Sequence, residues 1–195
     1  GAINKFCKNK KFKINFDNAY TGKNYSNLEI KKLLKIFNIQ FKKYDENEVA
    51  KIISQGKILG RLSGRSEYGP RALGNRSILA DPRDKKIRDY INKKVKHREI
   101  FRPFAPSILE EENKKYFELK TSSPYMLLVA KSKKPSKIPS AIHVDGTARV
   151  QTINKIQNEK FYNIIKSFYK ITKVPCVLNT SFNDAGEPLV ETPLD

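Results

Sequence analysis

Fixed cations and turn glycines crowd one stretch of this chain, Gly64-Arg65-Ser66-Glu67-Tyr68-Gly69-Pro70-Arg71-Ala72-Leu73-Gly74-Asn75-Arg76-Ser77. With Arg61 just before it, the stretch sets the guanidinium groups of Arg61, Arg65, Arg71 and Arg76 among glycines that permit tight turns and close backbone approach. A guanidinium is planar, keeps its charge and meets phosphate or carboxylate with paired hydrogen bonds. The alternative use of these arginines is to pair with Glu67 and Asp81 and lock a long loop. A second basic element, Lys96-His97-Arg98-Glu99-Ile100-Phe101-Arg102-Pro103-Phe104-Ala105-Pro106, leads into a strand; its prolines stiffen the turn and aim Arg98 and Arg102 in a defined direction. A third, Asn179-Thr180-Ser181-Phe182-Asn183, puts amides and hydroxyls at the end of an apolar strand, where open α/β sheets hold ligands, although the same residue types make ordinary turns. Together these three elements have the chemistry of an anion site.

Other chemistries find less support. His97 and His143 are the only histidines, without HxxxH or HxxE spacing, so no histidine-based metal site is indicated. Each reads equally as an acid or base and as a plain loop residue. Asp145-Gly146 marks a turn, and Arg149 starts the strand after it. GxxxxGKS and GxGxxG are both absent, so a nucleotide would bind without the two common phosphate loops. Nucleophilic hydrolysis has no support, since neither GxSxG nor a Ser/His/Asp order is present.

Helices and strands alternate around these motifs. Ser26-Asn27-Leu28-Glu29 is a capping box, and Leu28, Leu33, Leu34 and Phe37 continue at helical spacing. Ile39 to Tyr44 reads as a short strand, and Asp45 with Glu48 opens a helix that Gly56 closes. Further strands are expected at 57–62, 77–80, 104–109, 125–130, 148–153 and 174–178. Asp81-Pro82 is read as the start of a helix carrying Ile87, Tyr90, Ile91 and Val95, residues 110–117 as helical, and 159–171 as a helix with Phe161, Ile164, Ile165 and Phe168 inward. This order predicts an α/β domain with a twisted, mixed sheet over 21–195. The lysine-rich residues 1–20 read as an irregular basic arm. The closing Thr192-Pro193-Leu194-Asp195 suits a helix start with no helix after it, as in a piece of a longer polypeptide.

With 195 residues the chain can bury a full core. Lys plus Arg outnumber Asp plus Glu by 39 to 20, a net charge of +19 that attracts nucleic acid, phosphorylated metabolites or an acidic partner. Much of the excess is scattered lysine, which a merely solvated surface also gives. Cys7 and Cys176 stand far apart, so neither a disulfide framework nor a cysteine zinc site is indicated, and a reducing cytoplasm fits. No apolar run suits a membrane span or a secretion signal.

The arginine-rich block, continued through Ile78-Leu79-Ala80-Asp81-Pro82-Arg83, closely resembles the signature of the carboxy-terminal domain of O-carbamoyltransferases of the NodU/CmcH type. Lys96-His97-Arg98-Glu99, Phe101 to Pro106, Ser123-Pro124-Tyr125-Met126, His143 to Gln151 and Leu178 to Asn183 resemble that family in the same order, so the likeness runs from about Tyr20 to Asp195. It implies a YrdC-like fold, a twisted mixed sheet with flanking helices around a basic concave pocket. It also implies a domain that binds ATP, with Mg²⁺ carried on the nucleotide, and carbamoyl phosphate as substrate, and that makes carbamoyl adenylate with release of pyrophosphate and phosphate. By the same resemblance a separate amino-terminal, ASKHA-type domain of the polypeptide, holding iron or another metal, passes the carbamoyl group to a hydroxyl of a small-molecule acceptor. Carried over residue by residue, Arg102, backed by Lys96 and Arg98, would hold carbamoyl phosphate or the adenylate phosphate. Arg71, Arg76 and Arg149 would neutralise phosphate groups, and Ser181 and Asn183, with Asn179 beside them, would contact the carbamoyl adenylate.

Two other readings compete. A basic RNA-binding module should interleave aromatics with its cations for base stacking, yet the arginine loop offers only Tyr68 and the Arg98 to Arg102 segment only Phe101. Threonylcarbamoyl-adenylate synthases resemble the fold, but the block from Gly64 to Arg83 is similar to the carbamoyltransferases instead.

Overall fold

A computed structural model describes residues 18–195, so most of the arm expected at 1–20, and Cys7 with it, lies outside the described residues. Strands β1 (Leu59–Leu62), β2 (Arg76–Ala80), β3 (Ala105–Leu109), β4 (Leu128–Lys131), β5 (Thr147–Ile153) and β6 (Cys176–Ser181) form one mixed sheet in the order β1-β2-β6-β3-β5-β4. Only β3 and β5 run parallel; the other neighbours are antiparallel. Helices α1 (Asn27–Ile36), α2 (Glu46–Ser54), α3 (Lys85–Lys94), α4 (Asn113–Tyr116) and α5 (Glu159–Thr172) surround it.

Alternation along the strands builds two cores. Leu79 of β2 and Val177 of β6 join the side holding α2 and α5, where Ile53, Phe161, Ile164, Ile165 and Phe168 are fully buried. Their sequence neighbours Ala80 and Leu178 point the opposite way and meet Ile87 and Ile91 of α3 with Phe104. Each such large apolar side chain contributes about 1.5–3 kcal/mol on burial. A smaller cluster of Ala19, Leu73, Ala105 and Met126 lies beneath the arginine loop. The loop also leans on α5. Gly74 adopts φ +116°, and a Cβ there would stand 2.3 Å from Cδ1 of Phe161. The amide of Asn158, which accepts from the Phe161 N–H to cap α5, donates to Oδ1 of Asn75 at 2.9 Å.

Several element readings hold. Ser26 and Glu29 form the expected capping box, Asp45 caps α2, Gly56 takes a positive φ beyond it, and the inward face of α5 is as read. Two need correction. Residues 39–45 form no strand; Ile39, Phe41 and Tyr44 are exposed, with no strand neighbour to satisfy their backbone. Helix α3 starts three residues late, capped by Asp84, because the Asp81 carboxylate is engaged by Arg83, and Tyr90 faces solvent. Among the described residues, no helix is long and apolar enough to cross a membrane.

Candidate functional site

The arginine loop is organised from within by a carboxylate. Oε1 of buried Glu67 accepts the backbone N–H groups of Leu73 and Asn75, both at 2.7 Å, and of Arg76 at 3.3 Å. Glu67 thus fixes the turn rather than pairing with an arginine, and Asp81 pairs with Arg83. Arg76 is completely buried and donates to the carbonyls of Ser63, Gly64 and Asn75, and to those of Glu191 and of Lys23, which lies just before α1. Arg61, also buried, donates to the Gly74 carbonyl and to Oδ1 of Asn75.

A buried amide cluster ties the same loop to the central strands. The Ser107 hydroxyl donates to Oε1 of Gln151 at 2.6 Å, and Nδ2 of Asn179 donates to both of them and to the Ala72 carbonyl. Gln151 in turn donates to the carbonyls of Leu73 and Pro124. Polar groups inside a sheet hold their geometry tightly, since losing one partner strands the other. Asn179 therefore supports the loop, while its Oδ1 is buried without a hydrogen-bond partner. Sequence reasoning missed Ser107 and Gln151 as site-building residues; polar side chains within apolar strand runs were their only signal.

At this end of the sheet several cations gather. Arg149, two residues before Gln151 on β5 and so on the same strand face, is half-buried, and its Nε is buried with no hydrogen-bond partner. Burial lowers its pKa, and the charges of Arg71 and Arg98 add to that, so both of those guanidiniums act on it. Arg71 is exposed and has no hydrogen-bond or ion-pair partner among the described residues. Arg98 donates to Oδ1 of Asn92 at 2.7 Å and lies 4.8 Å over the Phe104 ring; burial lowers its pKa, as does Arg102. Arg102 makes a surface pair with Glu99 at 3.1 Å, a contact cheap to exchange for another anion.

Lys96 stands at the centre of the strand-end residues. Its ammonium donates to the Ser181 carbonyl, to the Asn183 carbonyl and to Oδ1 of Asn183 within 2.8 Å, and meets the Ser181 hydroxyl at 3.2 Å. The Ser181 hydroxyl donates to Oδ1 of Asn183 at 2.6 Å. Of the expected site residues, the fold thus gathers Lys96 with Ser181 and Asn183, and Arg71, Arg98 and Arg149 with Arg102 at their margin. It keeps Arg76 and Asn179 beneath, in the supporting structure. His97 lies 3.6 Å from Asp184 on the surface, and His143 is exposed. No cluster of three or more His, Cys, Asp or Glu occurs among the described residues.

Burial, reinforced by Arg98 and opposed by Asp184, pulls the Lys96 pKa down to about 8. The amine is charged below that pH and neutral above it. Sulfate, a dianion across this range, is therefore expected to bind more weakly as pH rises through about 8, by about fivefold, or ~1 kcal/mol of lost attraction. The Lys96→Met variant should flatten this profile, and calorimetric titration between pH 7 and 9 checks both.

Comparison with known proteins bears on this arrangement. Residues 50–195 match the family described as Carbamoyltransferase C-terminus. The chain is 46% identical over 165 residues to nodulation protein NolNO of Sinorhizobium fredii, covering 81% of this chain and 24% of that protein. It is 47% identical over 148 residues to nodulation protein NolO of Bradyrhizobium diazoefficiens, covering 73% of this chain and 27% of that one. The chain spans about a quarter to a third of the length of the first such relatives. The crystal structure of T. kodakarensis HypF superposes with a TM-score of 0.54 at 16% identity, over 78% of this chain and 19% of that one. That likeness concerns fold alone and agrees with the expected YrdC-like mixed sheet and flanking helices.

Proposed function

Because this chain belongs to the carbamoyltransferase C-terminus family, we propose that it is the part of an O-carbamoyltransferase that binds ATP and carbamoyl phosphate and forms carbamoyl adenylate. The observation that carries this reading is the group of Arg71, Arg98 and Arg149, in which Arg71 and Arg149 have no ion-pair partner among the described residues. Cations left unpaired at a strand end suit a ligand bearing several phosphate charges.

In the proposed reaction, water takes the phosphoryl group from carbamoyl phosphate, releasing phosphate and carbamate. A carbamate oxygen then attacks the α-phosphorus of ATP, the bond to the β-phosphate oxygen breaks, and pyrophosphate leaves. Arg71 and Arg149 neutralise the phosphates, Arg98 reinforces the field, and Arg102 exchanges Glu99 for substrate. The Ser181 and Asn183 groups, held in place by Lys96, face the carbamoyl end. Mg²⁺ arrives with ATP as part of the substrate, so the chain itself need supply only cations and hydrogen-bond donors. The remainder of a longer polypeptide, an ASKHA-type domain with its own metal, would pass the carbamoyl group to the hydroxyl of a small-molecule acceptor. A cytoplasmic setting, where ATP is available and thiols stay reduced, belongs to the same reading. Isotope exchange between pyrophosphate and ATP that requires carbamoyl phosphate tests the adenylate step in this chain alone.

A further inference from the structure

Beside β1, at the edge of the sheet away from β5, a cleft of about 680 Å³ opens between residues 24–30, β1 and the first turns of α5. Its size suits a small ligand, and none of Arg71, Arg98 or Arg149 lines it. Val49 and Ile164 supply apolar wall, Tyr25 and Tyr44 aromatic rings, and Arg61 and Lys160 positive charge.

The charge balance here is uneven. Arg61 is only 6% exposed, and its guanidinium stands beyond ion-pair distance of any carboxylate among the described residues. In this interior two buried guanidiniums, Arg61 and Arg76, share the charge of one buried carboxylate, Glu67, whose Oε1 takes three backbone N–H groups and whose Oε2 has no hydrogen-bond partner. Burying a cation without its own counter-ion is costly unless another anion can approach. The cleft reaches Arg61 from outside. At the rim, Lys160 has no ion-pair partner among the described residues, and the Lys23 ammonium lies 4.9 Å over the Tyr25 ring. Burial raises the Tyr44 hydroxyl above its ordinary pKa, while its hydrogen bond with Arg61 and that residue's charge pull the other way, which ties the ring to the buried cation.

We propose that this cleft is a second binding site, separate from the cation group of β5 and β6, for a small aromatic anion whose ring meets Tyr25 and Tyr44 and whose charge meets Arg61 and Lys160. Aromatic faces and a desolvated cation at one cleft select for that combination over either an uncharged ring or a bare ion. The test is calorimetric titration of the whole chain with 4-hydroxybenzoate and with phenylacetate, aromatic carboxylates that carry neither a nucleotide nor a phosphate for the cation group. Tyr25→Ala and Lys160→Ala are surface changes that spare the core, and Arg149→Ala reports on the other site. Saturable binding of at least one probe is expected, weakened about fivefold or more by Tyr25→Ala and by Lys160→Ala and unchanged by Arg149→Ala. The proposal is overturned if neither probe binds, if the cleft variants bind like the unchanged chain, or if Arg149→Ala weakens binding as much as Lys160→Ala. Because Arg149→Ala separates the two sites, failure here leaves the adenylate-forming reading to its own test.

Discussion

Replacing Arg149 with alanine is expected to weaken carbamoyl phosphate binding by about 30- to 100-fold while leaving the stability of the chain nearly unchanged. The binding loss follows from removing a charge-assisted, partly desolvated contact, worth about 2–3 kcal/mol. The indifference of stability follows from the surroundings of the side chain. Arg149 is half-buried, carries a buried Nε with no hydrogen-bond partner and is repelled by Arg71 and Arg98. Removing it breaks no side-chain hydrogen bond among the described residues and relieves like-charge repulsion. Calorimetric titration with carbamoyl phosphate, paired with urea unfolding, checks both halves. A variant that binds normally, or one that loses more than about 1 kcal/mol of stability, would show that Arg149 serves the fold instead.

A comparably large effect, on stability this time, is expected for Gly74→Ala. The position combines φ +116° with a place for Cβ only 2.3 Å from the ring of Phe161, a fully buried residue of α5. Backbone strain of about 1–2 kcal/mol and overpacking of about 1–3 kcal/mol add, giving a loss of about 3 kcal/mol. Neither the loop nor α5 can yield cheaply. The backbone N–H of Gly74 donates to the Ser77 hydroxyl, its carbonyl accepts from Arg61, and the neighbouring Leu73 and Asn75 are bonded to Glu67. Urea unfolding followed by circular dichroism measures the change; a shift below about 0.5 kcal/mol would mean that the loop is free to move away from the helix.

These two positions also mark what the chain's residues disclose unaided. Phe161, Ile164, Ile165 and Phe168 repeat at 3.6-residue spacing, so α5 and its buried face are legible directly. Ile39 to Tyr44 has strand-like composition too, but a strand exists only by pairing, and no neighbour comes to it. The start of α3 could not be placed because Asp81 and Asp84 are equivalent caps until Arg83 occupies the first. At the site, the arginines could be recognised by type but not sorted by task. Arg76 and Arg149 look alike in the chain. Tertiary contacts fill the donors of Arg76 with carbonyls as distant in sequence as Lys23 and Glu191 and leave the Arg149 side chain without a partner among the described residues. Gln151, which bonds the Leu73 carbonyl directly, and Ser107, which with Gln151 holds Asn179 against Ala72, show in the sequence only as polar residues in apolar strand runs, because their task depends on strand register.

The most direct measurement of the central claim is the exchange of labelled pyrophosphate into ATP by the purified chain, with Mg²⁺, in the presence and absence of carbamoyl phosphate. Label appearing in ATP only when carbamoyl phosphate is present, and falling at least tenfold in Arg149→Ala, is the predicted result. No exchange under any condition, or exchange indifferent to carbamoyl phosphate and to Arg149, would contradict an adenylate-forming site at the arginine group.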